Sequence, residues 1–442
     1  MINHLILPAG PPRISQKDAV RIRHDYERFS ETGLPEQVEL YLLEQYGLDV
    51  SSFYGPRPIK NPFGKASGQL SLSAHQVQSD AEAGLGFVVL KTVIAEDEQG
   101  DRSMKEWAVK ETRMEVGRIV GKETGEPGWN VTWHGRGWHG SFNEYLSFVR
   151  EAIQLGRERG TVVVPSCKYH LPAAAEDFRL DEYRYTTRCL AQVWKEAGEP
   201  GPLQLEKDFS PTLAGSDLAA ERPAIIRWLR EVPKAIRSAL PDREIRLGIK
   251  LMNTLFDDEF QLQTIKTLVE EGDEGADYIV YANRLYDSER QAAGGGKAGA
   301  AYGGPDLSAR NLRILSGLRR LELEGELRSP VPALSGTGDV HSGKMALEYA
   351  LRGVSSLQMH TLFQLPGDVY SMKRGSKTQR ALHELYFHPD VGLVAWLLHL
   401  RETGEIAGRG GTASFCEVTN WYRDRGRSFF LESKNVKGRL YE

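Results

Sequence analysis

Cysteine is scarce in this chain of 442 residues. Its three thiols, Cys167, Cys189 and Cys416, supply neither a CxxC pair nor a ligand quartet, which leaves no disulfide framework and no zinc or iron–sulfur centre of the usual kind. Redox chemistry, if there is any, falls to an organic cofactor or a partner. No apolar run approaches the roughly 18 residues that cross a bilayer. The opening segment, Met1 to Pro12, has neither a basic leader nor an apolar stretch long enough for secretion, so the expected address is cytoplasmic. Charge of one sign is lacking too: 56 Lys+Arg against 60 Asp+Glu leave −4, no surplus with which to expect nucleic acid. Fixed-period repeats and long polar tracts are absent.

What is present is glycine, 45 residues, within a chain that is 40% hydrophobic. That combination suggests a large core carrying backbone-shaped sites. The length alone fits two or three domains, or one large barrel with extensions.

Short apolar runs alternate with segments of helical period. The runs are Phe63 to Ser67, Gly86 to Lys91, Thr161 to Cys167, Leu203 to Asp208, Arg246 to Leu251, Asp277 to Asn283, Val331 to Gly336 and Ser355 to His360. Crossover helices are expected over Asp181 to Ala197, Arg222 to Leu240 and Phe260 to Glu271, the last opened by the carboxylates of Asp257 and Asp258. Continuous runs such as Val162-Val163-Val164 read as strands covered on both faces. The pattern predicts an α/β fold, a closed (β/α)8 barrel, with an open doubly wound sheet as the rival. A helical extension precedes the barrel (1–60), a long insertion follows the second strand (92–160), the barrel spans 61–371, and an extension follows it (372–442). An insertion after the C-terminal end of a strand lies over a barrel's mouth, so 92–160 is a candidate lid.

Polar and small residues recur at the C-terminal ends of the candidate strands. They are Asn61-Pro62-Phe63-Gly64-Lys65-Ala66-Ser67-Gly68, then Lys91-Thr92, Lys250, Asn283 followed by Arg284, and Gly336-Thr337-Gly338. Each alone is weak, since a Lys closing a strand is usually a solvated or ion-paired edge. Together and in this order they resemble the dihydroorotate dehydrogenase family of FMN-dependent barrels, over roughly residues 58 to 370. The resemblance implies that Ala66, Ser67 and Gly68 back a flavin ring, with Lys91 and Thr92 beside flavin and substrate. It further implies that Lys250 faces the ring's N1/C2 oxygen edge, that Asn283 reads the substrate's amide with Arg284 next to it, and that Gly303-Gly304 and Gly336-Thr337-Gly338 cradle the phosphate. It also implies a small-molecule substrate, an electron acceptor that the sequence does not identify, and a homodimer.

The departures are specific. Where the family's fourth strand ends in amides and a Cys or Ser base, this chain has Glu206-Lys207-Asp208-Phe209-Ser210-Pro211. Ser210 takes the base position, with Lys91 and Thr92 as helpers. Glu206, Lys207 and Asp208 suit a substrate carrying amino or carboxylate groups better than a neutral ring, with Asp208 among the substrate contacts. At the phosphate, Gly338-Asp339 replaces Gly-Gly and His360-Thr361 replaces Gly-Thr. Asp339 is expected to turn toward a cation, and His360 and Thr361 to meet the phosphate. In the insertion, Asn130 and Arg136 stand on an indole-rich ribbon, where Arg136 can clamp a carboxylate and Asn130 supplies an amide; a packed hairpin is the plainer reading. Cys167 and His170 are alternative bases. The expected reaction is oxidation of dihydroorotate to orotate, a step of pyrimidine metabolism, or of a related small cyclic or polar substrate, by hydride transfer to flavin N5. The competing class is a flavin-free phosphate-binding lyase or isomerase, or a catalytically silent barrel.

Overall fold

The computed structural model describes residues 5–110, 114–133, 137–173, 175–209, 221–241, 243–291, 298–408 and 410–432. Ser210 and Arg136 lie outside the described residues.

Eight parallel strands form the core: β1 (Phe63–Lys65), β2 (Phe87–Val89, resumed at Val93–Ile94), β3 (Val162–Val164, resumed at Ser166–Lys168), β4 (Leu203–Asp208), β5 (Ile245–Met252), β6 (Tyr278–Asn283), β7 (Ala333–Thr337) and β8 (Val354–Met359). Pro165 breaks β3 because it has no N–H for the ladder, although its carbonyl still accepts from Glu206 N at 3.0 Å. The lower halves of β2 and β3 pair through Val88 and Val163, and the upper halves through Val93 and Cys167. Since β3 continues to β4 and β8 pairs with β1 through Met359 and Lys65, the ring closes. The sheet is a (β/α)8 barrel, as the alternation of elements predicts.

Seven helices alternate with the strands and an eighth follows β8: α1 (Ala74–Glu82), α2 (Phe142–Glu158), α3 (Leu180–Glu196), α4 (Arg222–Arg237), α5 (Asp258–Glu270), α6 (Pro305–Glu324), α7 (Gly343–Ala350) and α8 (Lys377–Phe387). Their starts follow side-chain chemistry: Ser141 and Ser376 form capping boxes with Glu144 and Gln379, and Asp257 accepts from Phe260 N at 2.8 Å. No helix among the described residues is long and apolar enough to cross a membrane.

Aromatic rings fill the bottom of the barrel. A hairpin before β1, Ser52–Tyr54 with Arg57–Ile59, inserts Tyr54, which stacks on Phe87 at 4.1 Å and meets Tyr278 edge-on at 5.1 Å. Glycine makes the room: a Cβ on Gly64 would lie 2.3 Å from the Phe87 ring, and one on Gly248 would lie 2.1 Å from Tyr278. Small residues on β1 and β5 therefore admit large ones from β2 and β6.

The N-terminal helices (Gln16–Thr32 and Val38–Tyr46) bury Phe29, Leu42 and Tyr46 against the molecule itself, and Leu48–Asp49 pairs with Ala413–Ser414. Two hairpins stand at the mouth. One joins Met114–Val120 to Pro127–Trp133 within the insertion after β2, and the other joins Leu285–Gln291 to Ala298–Tyr302 after β6.

Candidate active site

A cavity of about 460 Å3 opens at the C-terminal ends of the strands. Its wall includes Ala66 and Ser67 after β1, Lys250 of β5, Asn283 and Arg284 after β6, and Gly303 and Gly304 at the start of α6. The wall continues through Thr337, Gly338 and Asp339 after β7, and Gln358, His360 and Thr361 at the end of β8. Twelve of the residues singled out from the sequence thus share one cavity although they are scattered along nearly 300 positions: Ala66, Ser67, Lys250, Asn283, Arg284, Gly303, Gly304, Thr337, Gly338, Asp339, His360 and Thr361.

Three others stand just behind its wall. Thr92 Oγ1 lies 2.8 Å from Ser67 Oγ, 3.0 Å from Ser166 Oγ and 3.4 Å from Asp208 Oδ2. Lys91 is buried beside Asp208, and a Cβ on Gly68 would lie 2.8 Å from the His360 ring. Asn130, on the hairpin after β2, accepts from Gly303 N at 2.9 Å through Oδ1, so it orients the loop that opens α6. Gly336 turns its open side toward Tyr349 and Val354 behind the sheet.

Asn311 of α6 is a buried residue that the sequence reading missed, because an Asn inside a helix carries no distinctive spacing. Its Nδ2 donates to Ala282 O and Thr337 O, both at 2.8 Å, and so fixes the ends of β6 and β7 relative to each other. Tyr26 was missed as well: it reaches the same cavity from the N-terminal helix, with its hydroxyl on Glu384 at 2.8 Å.

Arg118, Lys250 and Arg284 line the cavity together with Glu126, Asp339 and Glu384, and further cations are buried behind the wall. Burial lowers Lys91 to about 8, Asp208 opposing the shift and Lys168 and Lys250 adding to it. Burial likewise lowers Arg284 to about 10. Its guanidinium donates to Ala301 O at 3.0 Å and to Val131 O, which ties both hairpins to β6. Lys168 lies 4.5 Å above the Trp107 ring. Like charges crowded in a low dielectric favour an anion arriving among them.

Asp339 lies on the cavity wall with its carboxylate already engaged. At φ +51°, its carboxylate accepts from Ser308 at 3.1 Å and lies 3.4 Å from His341 Nδ1. His360 is different: burial, with Arg284, Lys65, Lys91 and Lys250 around it, pushes its pKa well below the usual value. The histidine beside Asp339 is His341, whose Nδ1 also lies 2.9 Å from the Asp339 carbonyl oxygen.

Two further expectations are corrected. Glu206 is wholly buried among Tyr54, Gln358 and Lys250, and Lys207 donates to Asp208 O at 2.9 Å beneath the Phe209 ring, so of the three charges ending β4 only Asp208 reaches toward the wall. Cys167 is fully buried, with its thiol pushed up to about 12 by that burial, and His170 stands 3.1 Å from Glu176; neither lines the cavity.

No family model matches the sequence, and no curated protein matches it. The fold does match solved structures, 538 chains in all. One is the crystal structure of DHODH from Eimeria tenella in complex with ferulenol, with a TM-score of 0.51 and 16% identity over 88% of this chain and 97% of that one. At that identity the likeness carries the fold alone.

Proposed function

We propose that this protein is an FMN-dependent oxidoreductase of the dihydroorotate dehydrogenase type, oxidising dihydroorotate to orotate or a related small anionic ring. The observation that carries the reading is the convergence of Ala66, Lys250, Asn283, Thr337 and His360, one from each of five strand ends, on a single cavity. Its volume falls within the range of about 300 to 1,000 Å3 usual for small-molecule sites. The structural neighbour named as a DHODH supports the same reading through its fold.

The residues present fit the cofactor. Ala66 and the adjoining backbone offer a flat, small-residue wall. Lys250, almost wholly buried, offers a fixed cation to the ring. The loops at Gly303-Gly304, Thr337 to Ser342 and His360 to Leu362 offer backbone N–H groups and hydroxyls to a phosphate, and Asp339 is already engaged elsewhere. When bound, FMN would supply the hydride acceptor.

The chain's own residues do the rest. Lys91, Lys168 and Arg284 favour an anionic substrate, and Asn283 presents an amide to its ring. Ser210 is the proposed proton acceptor, with the Thr92 hydroxyl and Asp208 carboxylate forming a route along which a proton can leave. The lid hairpin excludes water by covering the mouth with Trp129 and Pro127.

The test is anaerobic mixing of the FMN-loaded protein with dihydroorotate. Loss of the flavin's visible absorbance is expected. A protein that binds FMN but keeps its colour is an oxidoreductase for another substrate, and one that never takes up FMN is instead a phosphate-binding lyase, an isomerase or a silent barrel.

A further inference from the structure

Glu206 has no solvent exposure, and it sits in a closed polar cluster inside the barrel. Its Oε2 accepts from Tyr54 OH at 2.9 Å and from Gln358 Nε2, and the same Gln358 nitrogen reaches Tyr54 OH at 3.0 Å. Gln358 Oε1 accepts from Lys250 Nζ at 2.9 Å, while Glu206 Oε1, with no hydrogen-bond donor among the described residues, stands 3.5 Å from that ammonium. The amide has one consistent orientation, because an ammonium only donates and a carboxylate only accepts.

Lys250 and Gln358 line the cavity, and Glu206 and Tyr54 lie behind them. A buried charge in this setting is screened little, so the carboxylate acts on whatever the ammonium acts on. We propose that Glu206, set behind Lys250 and linked to it through the Gln358 amide, offsets part of the ammonium's positive field at the cavity wall, making a flavin bound there harder to reduce. The inference rests on the flavin reading above. Reduction adds negative charge to the ring; a nearby cation therefore favours the reduced form, and a carboxylate behind that cation opposes it.

The midpoint potential isolates this effect because it reports the ratio of affinities for the reduced and oxidised cofactor, whereas damage to the pocket weakens both alike. Full-length wild type and Glu206→Gln, loaded with FMN, are titrated by anaerobic spectroelectrochemistry. Glu206→Gln keeps the shape and removes the charge, and its potential is expected to move positive. Glu206→Asp, which draws the carboxylate back from Lys250, is expected to move the same way by less, and it carries the test should the glutamine variant not fold. A yellow variant with the wild-type potential, or a more negative one, overturns the inference and leaves the flavin reading standing. A wild-type protein that takes up no FMN overturns both.

Discussion

Thr92 Oγ1 bridges Ser67 Oγ, at 2.8 Å on the cavity wall, and Asp208 Oδ2, at 3.4 Å at the end of β4. One hydroxyl thus joins the cavity to a carboxylate. Thr92→Val keeps the shape and cuts this route. Substrate-driven reduction of the bound flavin, followed by anaerobic stopped flow, is expected to slow by about tenfold to hundredfold. An unchanged rate would leave proton transfer to Ser210 without this chain.

Lys91 gives the site a pH dependence whose sign is set by burial. Its folded pKa is lowered to about 8, so the ammonium that an anionic ligand needs is present below that pH and lost above it. Binding of orotate is therefore expected to be level below about pH 8 and to weaken by up to about tenfold for each further pH unit. Lys91→Met should bind weakly and flatten the profile. A wild-type affinity that does not change across this range would contradict the assignment.

The aromatic floor of the barrel predicts two stability losses. Ala at Gly64 or Gly248 drives a Cβ to 2.3 Å or 2.1 Å from the rings of Phe87 and Tyr278, within a cluster where Tyr54 is already stacked. Overpacking of this kind costs about 1 to 3 kcal/mol. Each substitution should lower the denaturant midpoint with an unchanged slope; wild-type midpoints would mean that the floor yields.

Asp306 holds the turn of the hairpin that joins Met114–Val120 to Pro127–Trp133. Its carboxylate accepts from Lys122 N at 2.7 Å, Glu123 N at 3.2 Å, Thr124 N at 3.0 Å and Thr124 Oγ1 at 2.9 Å. Asp306→Ala should speed hydrogen exchange at those three amides by at least about tenfold, each charged hydrogen bond contributing about 1.5 to 3 kcal/mol. Undisturbed protection there would show that the hairpin is held by other contacts.

The barrel was legible in the sequence because each strand is buried on both sides and flanked by turn residues; every expected run overlaps a strand, and Leu203 to Asp208 coincides with β4. The cavity wall was legible because polar residues at strand ends face the mouth in any such barrel. Side-chain direction was not. Glu206, Lys207 and Asp208 are consecutive, yet alternation along β4 points Lys207 away from the interior, and depth separates Glu206 from Asp208. Tyr54 and Asn311 come from outside the strands, and nothing in local spacing announces that a hairpin tyrosine will plug the barrel or that a helical amide will tie two strand ends. The hairpin over Leu285 to Tyr302 was missed as well. Its strands straddle an Ala- and Gly-rich stretch whose periodicity is weak.

The central claim is that one FMN occupies the mouth of this barrel against Lys250. Titrating FMN into the purified chain while following quenching of flavin fluorescence tests it most directly. Saturation at one FMN per chain, with clear weakening in Lys250→Met, is the result expected. Flavin fluorescence that stays unquenched at every protein concentration would contradict the account.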